Sequence, residues 1–307
     1  TQCAEKRTSS MIEKGTLIGL GLMASSVARG LINNKESIKV IGYDISPEVR
    51  KIASEIKIFE VVDDLESAVK DSDLTIICTP VGAIRSVVSE ISKYLKKGSI
   101  LSDVGSVKKA VVEAVFPLVP KGVYFVPAHP LAGTEESGPN SGFPELFKDR
   151  WCILTPLENT PQEKIKIVKD FWENLGSKVT EMTPEHHDLV LAVTSHAPHL
   201  IAYTMVGVAD DLAQVTNSEV INFSAAGFRD FTRIAASDPT MWRDVFLNNK
   251  EAALEVLGRF SEELFALNRA IRQGDGDFLF DYFTRTRSIR RGIIEAGQDT
   301  KAPNFGR

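Results

Sequence analysis

Gly19-Leu-Gly21-Leu-Met-Ala24 stands between an apolar β-rich run, Gly15 to Leu20, and a segment of helical periodicity, Leu22 to Ile32. Two glycines and a small residue at this spacing allow a tight strand-to-helix turn, which is a requirement of a βαβ unit and of few other structures. The alternation then continues along the chain. Further strand candidates are Ile38 to Tyr43, Ile58 to Val61, Leu74 to Thr79, Ser99 to Asp103 and Val123 to Val126, and the helical stretches between them include Gly82 to Tyr94 and Val107 to Phe116. Several strands are unbroken apolar runs, such as LTIICT, which suits a parallel sheet covered on both faces. The expectation is a doubly wound α/β domain, extended by the runs Trp151 to Thr155 and Lys178 to Met182 with a helix from Gln162 to Leu175 between them.

At 307 residues the chain is about twice a typical domain length, so a second domain is expected. Pro184 suits the first turn of a helix, and no convincing strand follows it as far as Ala296. The division expected is a tail over 1–14, an α/β domain over 15–183 and an all-helical domain over 184–307. The tail carries charges and no apolar core segment, so neither a signal peptide nor a membrane anchor is expected there.

From Leu189 to Ala209 there is no Asp, Glu, Lys or Arg. That run is long enough to cross a bilayer, but Thr194, Ser195, His196, Pro198 and His199 fall at its centre, where insertion would be costly. It is expected instead to be the buried heart of the helical domain, at or near a homodimer interface. No membrane partner is expected. The 41 acidic residues outnumber the 36 Lys and Arg for a net charge of -5, and no run of five basic residues occurs, so nucleic acid is not an expected partner either. Cys3, Cys78 and Cys152 show no CxxC spacing and read as reduced thiols of a cytoplasmic protein.

The glycine motif in its strand-turn-helix setting reads as a dinucleotide site. Gly19 serves the turn, Gly21 lets the backbone approach a pyrophosphate, and the helix opening at Leu22 and Met23 offers N–H groups and a positive dipole end. Asp44 closes the second strand at about the distance from which a carboxylate accepts hydrogen bonds from ribose hydroxyls, with no Arg or Lys directly after it to neutralise a 2′-phosphate. NAD is therefore expected over NADP. The alternative for Asp44 is a turn or helix-capping role before Pro47. Thr79-Pro80 ends the fourth strand, where the chain should pass the cofactor.

Between Val126 and Trp151 lies PAHPLAGTEESGPNSGFPELFKDR, without periodicity and long for a compact domain, which points to a functional loop carrying His129. Unaided, His129 is as readily a structural hydrogen-bond partner. His196 and His199 share a helix face around Pro198, and each reads equally as a satisfied core histidine. Four of the five histidines fall within His186 to His199, but no HExxH and no cysteine accompanies them, so no metal site is expected.

SDVGSVK from Ser102, HPLAGTE from His129, HHDLVLAVTSHAPH from His186 and FRDFTRIAASDPTMWRD from Phe228, following GLGLMASS in this order, resemble the prephenate/arogenate (cyclohexadienyl) dehydrogenases over about Gly15 to Lys250. The resemblance implies a Rossmann-type NAD domain with a helical dimerisation and substrate domain. It also implies oxidative decarboxylation of prephenate, arogenate or both in tyrosine biosynthesis: C4 of the ring loses hydride and C1 loses carbon dioxide. His129, whose ordinary pKa is near neutral, would accept the C4 hydroxyl proton. Ser106 would hold His129 and that hydroxyl in register. His199 and Arg233 would bind the substrate, the arginine through bidentate contact with a carboxylate. Ser195 and His196 would pack around it, and Glu135 would stand near Arg233 as a gating partner.

The additional mutase or regulatory domains of some relatives are not expected here, so any inhibition by tyrosine is expected to act at the active site. Two other readings share the glycine motif. A β-hydroxyacid dehydrogenase would rely on a second-domain lysine, yet no lysine lies between Lys178 and Lys250. A non-enzymatic NAD-sensing regulator would have no use for His129 and Arg233.

Overall fold

A computed structural model of the chain describes residues 12–134, 136–211, 219, 223 and 226–296. The first part alternates β1 (Lys14–Ile18), α1 (Leu22–Asn33), β2 (Lys39–Tyr43), α2 (Pro47–Ile56), β3 (Glu60–Val61), α3 (Leu65–Val69), β4 (Leu74–Ile77), α4 (Val81–Ile91), β5 (Ile100–Asp103), α5 (Lys109–Val115) and β6 (Tyr124–Phe125). The strands form one parallel sheet in the order β3-β2-β1-β4-β5-β6. All four residues of β4 are buried, as a central strand covered by helices on both faces requires. Helix α1 buries Ala24, Val27, Ala28 and Leu31, at the i, i+3, i+4, i+7 spacing of a single stripe. The order of strands reverses between β1 and β4, and their carboxyl ends open the crevice in which such sheets bind ligands. This is the doubly wound Rossmann-type domain expected.

The remaining strands do not extend that sheet. β7 (Ala128–Pro130), β8 (Trp151–Leu154) and β9 (Lys178–Glu181), with α6 (Gln162–Asn174) before β9, make a separate three-stranded sheet in which β7 is antiparallel to β8 and β8 parallel to β9. His129 therefore sits on a strand opposite Ile153 and not in a loop. Prolines at 127 and 130 hide this three-residue strand from periodicity, and they are tolerated because β7 pairs on one side only. Trp172, fully buried, packs edge-on against Phe147 at 5.2 Å and closes the apolar core beneath this sheet.

The helical part comprises α7 (Pro184–Leu191), a π-helical turn (Ala192–His196), α8 (Ala197–Asp211), α9 (Ala226–Thr232), a 3₁₀ turn (Arg233–Ala236), α10 (Pro239–Asn248), α11 (Lys250–Gln273) and α12 (Gly276–Glu295). The π turn falls immediately before Pro198, whose missing N–H cannot close the ordinary i to i−4 bond. Helix α10 starts where Asp238 accepts from the Met241 amide at 2.8 Å and Pro239 takes the first helical position.

By packing, the chain divides differently from the cut expected at 183/184. One compact unit is Thr1–Leu191 with Ser237–Asn249, and the other is Ala192–Ala236 with Lys250–Arg307. Polar contacts draw α7 and α10 into the first unit. Asp188 accepts from the Lys108 and Lys109 amides at 2.8 and 3.0 Å, Asn249 donates to the Asp188 carbonyl at 2.9 Å, and Asp244 accepts from the Gly82 amide at 3.2 Å. Nor is the uncharged run a buried heart within one chain. Leu189 is 42% exposed and Val193 54%, and α11 and α12 expose Phe265, Ile271, Phe280 and Phe283. The helix Pro184–Asp211 is long and apolar enough in composition to cross a membrane, with a mean hydropathy of 1.4 in its apolar window, although it carries the buried polar groups His187, Asp188 and His196.

Candidate active site

Gly19 has φ +91°, and a Cβ there would lie 2.9 Å from the Thr79 nitrogen, so only glycine fits where β1 meets the end of β4. Over Gly21 the space is open for 4 Å, and no side chain caps the N-terminus of α1, which leaves the amides of Leu22 and Met23 facing a position suited to phosphate. The Thr79 hydroxyl is buried without a hydrogen-bond partner among the described residues, beside Pro80 at the start of α4. Asp44 does two things at once. Its Oδ2 accepts from the Leu20 amide at 2.8 Å, pinning the glycine turn, and its Oδ1 accepts from the Ser46 amide at 2.9 Å. The helix cap of α2 is Ser46, not Asp44. Each carboxylate oxygen retains acceptor capacity for a ribose hydroxyl. Arg50 donates to the Asp44 carbonyl at 2.8 Å and pairs with Asp63, and so is already engaged. These features fit a dinucleotide.

His129 is buried, and its Nδ1 lies 2.8 Å from Nε2 of His187, which is fully buried. On the far side His187 Nδ1 lies 2.8 Å from Asp188 Oδ1. Both ring nitrogens of His187 are thus engaged, leaving none for a metal. Burial, reinforced by the charge of Lys108, holds His187 below the ordinary histidine pKa against the opposing pull of Asp188. Lys108, itself fully buried, donates to Asp103 Oδ2 at 2.5 Å and to the Ala128 carbonyl at 2.7 Å, and so ties the end of β5 to the strand that carries His129. Desolvation lowers the Lys108 pKa even beside Asp103. Ser106, in the turn between β5 and α5, is half-buried, and its hydroxyl makes no hydrogen bond among the described residues. Among the described residues, His187 holds Nδ1 of His129.

In the other unit His199 is half-buried on α8, with Nδ1 2.7 Å from the Ser195 carbonyl. That contact makes Nδ1 the donor and leaves Nε2 as the acceptor of the neutral ring. Burial first, and the charge of Arg233 last, lower its pKa. His196 is fully buried in the π turn. Arg233 opens the 3₁₀ turn with an exposed side chain, and one turn earlier Arg229 reaches Asp230 only at 3.5 Å. Glu135 lies outside the described residues.

A family model described as "Prephenate dehydrogenase, nucleotide-binding domain" matches residues 27–181, and one described as "Prephenate dehydrogenase, dimerization domain" matches residues 183–285. The chain belongs to the prephenate dehydrogenase family. Within this family, the cyclohexadienyl dehydrogenase of Zymomonas mobilis is 42% identical over 278 residues, 90% of this chain and 94% of that protein. The solved prephenate dehydrogenase of A. aeolicus in complex with hydroxyphenyl propionate and NAD+ superposes with a TM-score of 0.86 at 33% identity, over 94% of this chain and all (100%) of that one. Synechocystis arogenate dehydrogenase superposes with a TM-score of 0.76 at 25% identity, over 91% and 99% of the two chains. Neither the β-hydroxyacid dehydrogenase reading nor the NAD-sensing regulator is favoured by these matches to prephenate dehydrogenases. The family models meet at the start of α7, close to the expected cut, while the packing of α7 draws the compact unit further along the chain.

Sequence reasoning passed over His187, Asp188, Asp103 and Lys108. The available signal was the His187-Asp188 pair directly before the uncharged run, since an acid and a histidine at the mouth of an apolar helix need buried partners.

Proposed function

We propose that the chain is an NAD-dependent dehydrogenase that oxidatively decarboxylates prephenate to 4-hydroxyphenylpyruvate, and that it works as a homodimer. The observation that carries this reading is His129: a buried histidine, with Nδ1 2.8 Å from His187 Nε2, in the same compact unit as the glycine turn. NAD held by Gly19, Gly21, the amides of Leu22 and Met23, Asp44, Thr79 and Pro80 would supply the hydride acceptor. His129 takes the C4 hydroxyl proton as that carbon is oxidised, which raises electron density on the oxygen and promotes hydride departure. The C1 carboxylate then leaves as carbon dioxide, its bonding pair flows into the ring towards the C4 oxygen, and His129 returns the proton to give the phenol. The sum is one prephenate and one NAD to one 4-hydroxyphenylpyruvate, one carbon dioxide and one NADH.

Ser106 hydrogen-bonds the substrate hydroxyl. Arg233, charged at any working pH, takes a substrate carboxylate with the help of His199, while Ser195 and His196 shape the turn that presents His199. The exposed apolar faces of α8, α11 and α12 support the homodimer, because a lone chain would leave them in water. Arogenate differs from prephenate only in an amino for a keto group on the side chain, and the likeness to an arogenate dehydrogenase makes it the second substrate to test. The test is NADH formation with each substrate. Turnover with prephenate is expected, and tight NAD binding with no turnover of either ring acid would overturn the reading.

A further inference from the structure

We propose that His187 and Asp188 form a positioning relay that dictates which nitrogen of His129 receives the substrate proton, a role that rests on His129 being the base. The direction of each hydrogen bond follows from the carboxylate outward. Asp188 Oδ1 accepts from the Lys108 amide at 2.8 Å and Oδ2 from the Lys109 amide at 3.0 Å, at the start of α5, where backbone N–H groups favour a negative charge. An ionised carboxylate only accepts, so His187 Nδ1, 2.8 Å from Oδ1, carries the hydrogen. His187 is fully buried and its burial, with the charge of Lys108, keeps the ring neutral. A neutral ring protonated on Nδ1 has its lone pair on Nε2.

The partner of that lone pair is His129 Nδ1 at 2.8 Å, with the rings edge-on at 65°. His129 Nδ1 is therefore the donor, and the neutral His129 ring has Nε2 as its only basic nitrogen. When Nε2 takes the C4 hydroxyl proton, the Nδ1–H stays in its bond to His187, which stabilises the imidazolium without accepting a proton from it. The proton remains on His129 until the phenol oxygen reclaims it. Among the described residues, the charged groups that act on His187 are Asp188, Lys108 and Asp103. Lys108 also donates to the Ala128 carbonyl, so the side chain whose charge acts on His187 fixes the strand that bears His129.

The test compares His187→Leu with His187→Gln, whose side-chain carbonyl can still accept from His129 Nδ1. The Leu variant should lose about 10²-fold in kcat, with KM for prephenate and NAD changed only a few-fold and the acid limb of the kcat profile moved to lower pH, because the imidazolium has lost its acceptor. Gln should restore most of kcat. A merely structural His187 would give equal losses in both variants with an unmoved pH profile, and that result overturns the relay. Should His187→Leu fail to fold, ¹⁵N NMR of the histidine-labelled wild-type enzyme reads the tautomer directly, with His129→Asn for assignment. The relay requires neutral His129 to be protonated on Nδ1, and protonation on Nε2 refutes it. If His129→Asn itself keeps wild-type kcat, the base assignment fails, a result distinct from an inactive His129→Asn beside an unaffected His187→Leu.

Discussion

Asp44 follows the second strand, where an acid that accepts from ribose hydroxyls is expected, and it also holds the glycine turn through the Leu20 amide, a bond the sequence did not announce. Asp44→Ser should therefore narrow the preference for NAD over NADP and also weaken NAD binding, measured as KM for each cofactor. A variant that used NADP better with undiminished NAD affinity would show that the bond to Leu20 is dispensable. Replacing His129 by Asn should lower kcat by about 10²–10⁴-fold, the usual contribution of one general base, and remove the acid limb of the profile while NAD still binds. Arg233→Ala should raise KM for prephenate and leave NAD affinity alone; the reverse pattern would move Arg233 out of substrate binding. The glycine turn and Asp44 were legible because their grammar is local, a strand end and a helix start within a few residues. The partner of His129 was not, since His187 stands 58 positions away and only the fold brings the two together.

Helix α7 carries the fully buried His187 and the α8 helix that follows the π turn the half-buried His199, and burial lowers the pKa of both. Above the ordinary histidine value of 6.5 both the folded and unfolded chains hold these rings neutral, and their contribution to stability is complete. As the pH falls below that value the unfolded chain binds protons that the folded one refuses, so stability is lost towards acid. Thermal unfolding should show Tm falling between neutral pH and about pH 5, with a shallower slope in His187→Gln. A Tm independent of pH over that range would contradict the lowered pKa of both rings. Asp238→Ala should cost about 1 kcal/mol by removing the cap of α10. The long parallel-sheet strands and amphipathic helices were readable from periodicity. β7 escaped because three residues that follow one proline and end in another carry no period, and its pairing with β8 is set by residues more than twenty positions further on.

For the whole molecule, the α/β domain followed by helices was readable from the alternation and from where it stops. The packing boundary was not, because Asp188 and Asn249 tie helical segments to the first unit by contacts that no local pattern announces. With the exposed apolar faces of the helical unit paired in the proposed homodimer, light scattering after size exclusion should return twice the 33.8 kDa chain mass. A monomer at micromolar concentration would leave those faces unexplained. Purified protein given prephenate and limiting NAD should release NADH, carbon dioxide and 4-hydroxyphenylpyruvate in equal amounts. NADH without carbon dioxide, or no NADH from either prephenate or arogenate by a protein that binds NAD, would contradict oxidative decarboxylation.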